Sequence, residues 1–145
     1  MDRQDLLIGV DIGTSACKAT LLRAHDGEVL AAAVERYEPD IPQAGWSEQD
    51  PDVWYRASVA VIVRLLADVP GNAANVRGLG IDGQMRGLVL VDAAARPVRP
   101  AILWNDNRCQ AEVEAVSEAD LARLEGITHN VLNTMCTLPK LLWLQ

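Results

Sequence analysis

The chain has 145 residues, half of them apolar, with 20 acidic against 13 basic side chains and a formal charge of −7. That length carries one core of useful size, while the negative balance and the lack of any Lys or Arg run argue against nucleic acid and anionic membrane as partners. A phosphate ligand remains compatible, because backbone N–H groups and a divalent cation hold it without a net positive field.

Leu6 to Val10 is a short apolar run that predicts a buried strand, and Ala16 to Arg23 predicts a second. Asp26-Gly27 has the composition of a tight hairpin, and Val29 to Val34 follows as a third strand. Short turns between all three predict an antiparallel meander, since a parallel crossover needs about a dozen residues or more. Glu38 to Gln49 is polar and proline-bearing and reads as a loop. At Asp50-Pro51 an Asp cap with Pro in the first turn predicts a helix. Its apolar face is Trp54, Ala57, Val61 and Leu65, and it is expected to end before Pro70-Gly71.

Val76 to Ile81, Leu88 to Val91 and Ala101 to Trp104 read as further strands. Ser117 with Asp120 matches a capping box, and Gly126 is the expected helix stop. Pro139 to Gln145 reads as a helix just begun, with no stop signal, so the chain is expected to continue. Cys17, Cys109 and Cys136 are odd in number, widely spaced and without a C-x-x-C pair, which predicts a reduced, cytoplasmic setting. The apolar run after Met1-Asp2-Arg3-Gln4-Asp5 is too short for a signal peptide or a membrane span.

The strongest local signal is Asp11-x-Gly13-Thr14-Ser15 between two predicted strands, with Lys18 in the second. Gly lets a ligand approach the backbone, the next N–H and hydroxyl groups can donate to phosphate oxygens, and Asp11 can bind Mg²⁺ directly or through water. Lys18 can supply a point charge. An ordinary hairpin turn uses the same residues, and composition alone leaves both readings open. Gly78 to Gly83 fits G-x-G-x-x-G, but a strand-like segment follows where a dinucleotide site needs a helix, and no P-loop pattern occurs.

Asp82 to Gly87 and Trp104 to Arg108 are polar clusters in apolar surroundings. Amide, carboxylate and guanidinium groups beside an indole suit a polyol; a turn for the first and a helix cap at Asn105 or Asp106 for the second are the simpler alternatives. His25 reads as solvated, His129 lacks a metal-binding partner, and Cys17 reads as a small core residue. Trp46, Trp54 and Trp143 read as core anchors.

Five blocks in order resemble one family: Val10 to Lys18, Gly45 to Trp54, Gly83-Gln84-Met85, Pro100 to Arg108, and Pro139 to Trp143. Together they resemble the opening of the FGGY carbohydrate kinases, most closely those that phosphorylate xylulose. The resemblance implies an α/β, ribonuclease H-like domain of the actin, Hsp70 and hexokinase superfamily, whose mixed sheet starts with an antiparallel meander and is flanked by helices. Residues 1–145 would be the N-terminal part of the first domain, with its remainder and a second domain across a cleft lying outside this chain. It further implies ATP and Mg²⁺ as cofactors, a small-molecule sugar as substrate, and transfer of the γ-phosphoryl group to a ketopentose hydroxyl. A homodimer of the full-length protein is compatible with it.

By position in the family's motifs, Asp11 would serve catalysis and Mg²⁺. Gly13, Thr14, Ser15 and Ala16 would line the phosphates, and Lys18 would meet the transferring group. Met85 and Arg86, with Trp104 and Asp106, would face the sugar. Three departures stand out: Arg86 where the family has His, Asp82 where it has a small residue, and His129 where Gly is common. A guanidinium in place of an imidazole changes which hydroxyls are bound. The family's general base, an Asp in a later Gly-rich segment, lies outside this chain, so these residues alone are expected to be inactive. Two rival readings are an ATP-driven activator of a radical dehydratase, which should carry paired cluster cysteines, and a non-catalytic binding module of the same fold.

Overall fold

The computed structural model describes residues 4–69 and 73–145. In chain order its strands are β1 (Leu6–Ile12), β2 (Ala16–Arg23), β3 (Val29–Arg36), β4 (Glu48–Gln49), β5 (Val76–Gly83) and β6 (Ala101–Ile102). Its helices are α1 (Pro51–Asp68), α2 (Gln110–Glu114), α3 (Glu118–Thr128) and α4 (Thr137–Trp143). The backbone forms two compact units: one runs to Glu38 and from Pro51 to Gln84, the other from Pro39 to Asp50 and from Met85 to Gln145.

The first unit is a four-stranded mixed sheet in the order β3-β2-β1-β5. As expected, β1, β2 and β3 form an antiparallel meander, with Gly27 at a φ of 77° in the turn that carries Asp26. The connection through α1 is long enough to bring β5 back parallel to β1. Alternation in β1 sends Leu6, Ile8 and Val10 to one face, where they meet Cys17, Ala19 and Leu21 of β2. Helix α1 closes that face with Ala57, Val61 and Leu65, the residues its periodicity singled out; Trp54 is partly buried. Leu65 is fully buried, so Leu65→Ala would cost about 2–5 kcal/mol. The expected stop at Pro70-Gly71 falls outside the described residues. By register Leu79 and Ile81 of β5 share the face of Ile8 and Val10, yet they are 52% and 64% exposed, so the helix covers the meander and leaves β5 open.

The Gly78 to Gly83 pattern lies inside β5, with no helix directly after it, which removes the structural context of a dinucleotide fingerprint. In the second unit two expectations are corrected. Leu88 to Val91 is not a strand: it makes isolated bridges, Leu88 with Ile102 and Val91 with Pro97. Across the Asp92 turn the facing stretch carries Pro97 and Pro100, which have no N–H to donate; Asp92 N bonds Arg96 O, Val98 N bonds Leu90 O, and Leu88 and Ile102 exchange bonds without a continuous ladder. The segment expected to be a strand from Ala101 to Trp104 is regular only at Ala101–Ile102, paired with β4 from a stretch read as loop.

Gly126 does not stop its helix; α3 runs to Thr128, and His129 takes the left-handed position with φ of 53° and donates its N–H to Glu125 O. At the other end Ser117 Oγ accepts from Asp120 N, as the capping pattern predicted. Neither Asn105 nor Asp106 caps a helix, because α2 begins only at Gln110 after Cys109. Among the described residues no helix is long and apolar enough to cross a membrane, and all three cysteines are free thiols.

Candidate functional site

The turn between β1 and β2 is closed by Gly13 N donating to Ala16 O at 3.0 Å. A Cβ at Gly13 would lie 3.1 Å from that same carbonyl, so a side chain would force the turn open. Tyr37, just past β3, fixes it from behind: its hydroxyl donates to Gly13 O at 2.7 Å and its N–H to Ser15 O at 3.1 Å. Just past β5, Gln84 N donates to Ile12 O at 3.0 Å, and Thr14 Oγ1 donates to Gln84 Oε1 at 3.3 Å. With the carbonyls of Ile12, Gly13 and Ser15 held by protein donors, the peptide planes of the turn are set before any ligand arrives. Burial pushes the Tyr37 phenol up to about 12, with the fields of Cys17 and Asp11 adding to it, so it stays a neutral donor at working pH. Burial likewise raises the Cys17 thiol, which leaves it a core residue.

On the face of the sheet opposite α1, Asp11 and Lys18 are register partners across β1 and β2. Asp11 Oδ2 and Lys18 Nζ stand 4.0 Å apart, with side chains 55% and 64% exposed. A pair that open is held by less than about 1 kcal/mol, so both groups can turn to a ligand. Gly9 and Gly80 are neighbours in register on the same face and leave bare backbone between Asp11, Thr20 and Asp82, the floor of an open depression of about 460 Å³. Among the described residues no three His, Cys, Asp or Glu side chains gather into a metal cage. One or two carboxylates beside a phosphate are nonetheless what Mg²⁺ uses, completing its shell with water and phosphate oxygens. The residues present therefore fit a phosphate chain carrying Mg²⁺, with Asp11 as the hard ligand and Lys18 as the point charge.

The remaining candidates belong to the second unit. Met85 is 77% exposed. Arg86 is exposed, holds a φ of 65° that a non-glycine residue rarely adopts, and donates from Nη2 to Asn130 Oδ1 at 3.2 Å. Trp104 presents part of its indole to solvent, whereas Asp106 has no exposed surface. Asp106 Oδ1 accepts from Arg108 N and Nε, both at 2.9 Å, and Oδ2 accepts from Ser47 N and Arg108 Nη2. Burial alone would raise this carboxyl, but the Arg108 and Ser47 bonds outweigh it and hold it below the ordinary aspartate value. The Arg108 guanidinium lies 3.7 Å from the Trp46 ring centroid and 5.0 Å from that of Trp143, and its Nη1 is 2.7 Å from Glu48. The two rings meet edge-on at 5.4 Å, and both are only partly buried. Asp106 thus acts on Arg108 and on the loop at Ser47.

Asp11, Gly13, Thr14, Ser15, Ala16 and Lys18 come together on one turn and its flanking strands; Met85 and Arg86 share one segment, and Trp104 and Asp106 the next loop. The sequence reading missed Tyr37 and gave no role to Lys140, which is fully buried. A lone aromatic past an Ala-rich strand was the only trace of the first. An amphipathic helical pattern hides the second.

The mixed sheet opening on an antiparallel meander, with a helix on one face, is the α/β architecture of the actin, Hsp70 and hexokinase ATPases. The N-terminal domain model of the FGGY family of carbohydrate kinases matches residues 6–145, and the chain belongs to that family. It is 44% identical over 140 residues to a xylulose kinase of Escherichia coli K12, a match covering 97% of this chain and 28% of that protein. Among solved structures it superposes on a xyloylose kinase from Brucella ovis with a TM-score of 0.89 and 38% identity, over 96% of this chain and 29% of that one. A gluconate kinase from Lactobacillus acidophilus matches with a TM-score of 0.88 at 24% identity, covering 97% and 28%, a likeness of fold alone. The chain spans under a third of the length of the curated relatives it matches.

Proposed function

We propose that the protein containing this chain transfers the γ-phosphoryl group of ATP, with Mg²⁺, to a hydroxyl of a ketopentose, converting D-xylulose to D-xylulose 5-phosphate. The observation that carries this reading is the tethered Gly13 to Ala16 turn with Asp11 and Lys18 on the same outward face. The names borne by its relatives, xylulose kinases at 36% to 44% identity, supply the sugar. Phosphoryl transfer needs positioning and neutralisation of developing charge more than covalent chemistry. Bound Mg²⁺ would supply most of that neutralisation.

In this reading Asp11 holds the cation. The backbone of Gly13 to Ala16 and the hydroxyls of Thr14 and Ser15 orient phosphate oxygens, and Lys18 meets the transferring group. Met85, Arg86 and Trp104 face the sugar, and Asp106 serves that surface through Arg108. Residues 1–145 form the N-terminal part of the first of two domains, and the general base comes from elsewhere in the protein. The chain alone therefore makes no sugar phosphate. Three free thiols fit a reducing cytoplasm.

The test is sugar-dependent ADP release by the full-length protein across ketopentoses, aldopentoses, gluconate and glycerol. D-xylulose is expected to give the highest kcat/KM. ATP turnover indifferent to every sugar would sink the proposal.

A further inference from the structure

Lys140 lies in the first turns of α4 with no exposed surface. Its Nζ donates to two backbone carbonyls, Arg86 O at 3.2 Å and Met135 O at 3.1 Å. No carboxylate pairs with it among the described residues. Cys109, Asp106, Cys136 and Arg108 are the titratable groups whose fields reach it, and burial pushes its ammonium below the ordinary lysine value against the pull of Cys109 and Asp106. A buried cation without a counter-ion costs more than an apolar side chain of the same size, so stability alone does not account for it.

The two carbonyls it binds explain its place. Arg86 is in the left-handed region at φ 65°, a conformation that persists only when its surroundings over-determine it. Lys140 holds the carbonyl of that residue while Asn130 accepts from its guanidinium, so Arg86 is fixed at both ends. Met135 lies on a separate loop, and one ammonium spans both. Between them, Arg86, Asn130, Leu132 and Cys136 line a cavity of about 250 Å³.

We propose that Lys140 is a positioning residue for sugar selection: by tying Arg86 O to Met135 O it sets the spacing of the two loops and holds Arg86 in the backbone conformation that presents its side chain. This rests on the kinase reading above. Lys140 touches neither sugar nor nucleotide, and its action is felt through Arg86.

The experiment compares the full-length wild type with Lys140→Met, which keeps length and apolar bulk and removes every donor. The sugar KM is expected to rise about tenfold or more while the ATP KM stays within about twofold, with discrimination between D-xylulose and other sugars reduced. Amide exchange at residues 85–88 should quicken by about tenfold, a readout independent of turnover. Should Lys140→Met not fold, Lys140→Gln, which retains a shorter donor, is read by the same constants and should shift them in the same direction. An unchanged sugar KM in an active variant, parallel rises in both KM values, or loss of folding in both variants overturns the proposal. A wild type without sugar-dependent turnover removes the kinase reading itself, a result distinguishable from an active wild type whose variant is unaltered.

Discussion

Replacing Tyr37 by Phe removes one oxygen and tests whether the phosphate turn is pre-set by the protein. The ring and its packing stay, and so does the bond from Tyr37 N to Ser15 O at 3.1 Å; only the hydroxyl bond to Gly13 O at 2.7 Å is lost. A neutral hydrogen bond of this kind contributes about 0.5–1.5 kcal/mol net, and water can reach a half-buried carbonyl to replace part of it. Folding stability should therefore fall by about 1 kcal/mol, read from the urea midpoint at unchanged slope. If the tether holds the turn in the geometry that the transition state needs, the same energy appears as a drop of about fivefold in kcat/KM for ATP. The assay is ADP release by the full-length protein at saturating sugar with ATP varied, then at saturating ATP with sugar varied. The sugar KM should not move. A change under about twofold in kcat/KM for ATP, or an equal change in both substrates, would refute the claim that Tyr37 acts on the phosphate turn.

Asp11→Asn should leave stability within about 0.5 kcal/mol, because the side chain is half-exposed and weakly paired, yet lower kcat by about a hundredfold or more with a raised Mg²⁺ requirement; steady-state rates across a Mg²⁺ titration check both. Asp106→Asn should cost about 3 kcal/mol in thermal or urea unfolding, since it leaves the buried Arg108 guanidinium short of charge. The folded carboxyl titrates below its ordinary value, so the stability it contributes is present above the unfolded pKa and is lost as pH falls through the lower folded one. Acid unfolding followed by circular dichroism should show wild type and Asp106→Asn converging at the acid end of the titration. His129→Gly should raise stability by about 0.5–1 kcal/mol in the same urea assay, because His129 is exposed and already holds a φ of 53°.

What could be read from the chain follows the range of the interactions involved. The meander, the buried face of α1 and the Ser117 cap depend on residues a few positions apart, and periodicity with short turns was enough to find them. Glu48–Gln49 became a strand through a partner more than fifty residues away, which no local pattern encodes. Leu88 to Val91 has strand composition, but the stretch it faces carries Pro97 and Pro100, which have no N–H for a continuous ladder. Gly126 looked like the helix stop because glycine tolerates positive φ; His129, noted as unusual where Gly is common, holds that conformation.

The same division holds for the candidate site. Asp11, Gly13 and Lys18 were legible because the chemistry and the turn lie in adjacent residues. Asp106 was expected toward the sugar from its position in the family's motifs, whereas its burial and four donors turn it inward to Arg108 and Ser47. Tyr37 and Lys140 act through backbone carbonyls, whose positions depend on the folded chain and leave no residue-type signature.

The most direct test is to incubate the full-length protein with MgATP and D-xylulose and to quantify products by phosphorus NMR. One sugar phosphate ester, phosphorylated at a terminal hydroxyl, should form for each ADP released. ADP without sugar phosphate, or no turnover with any ketopentose, would contradict the account.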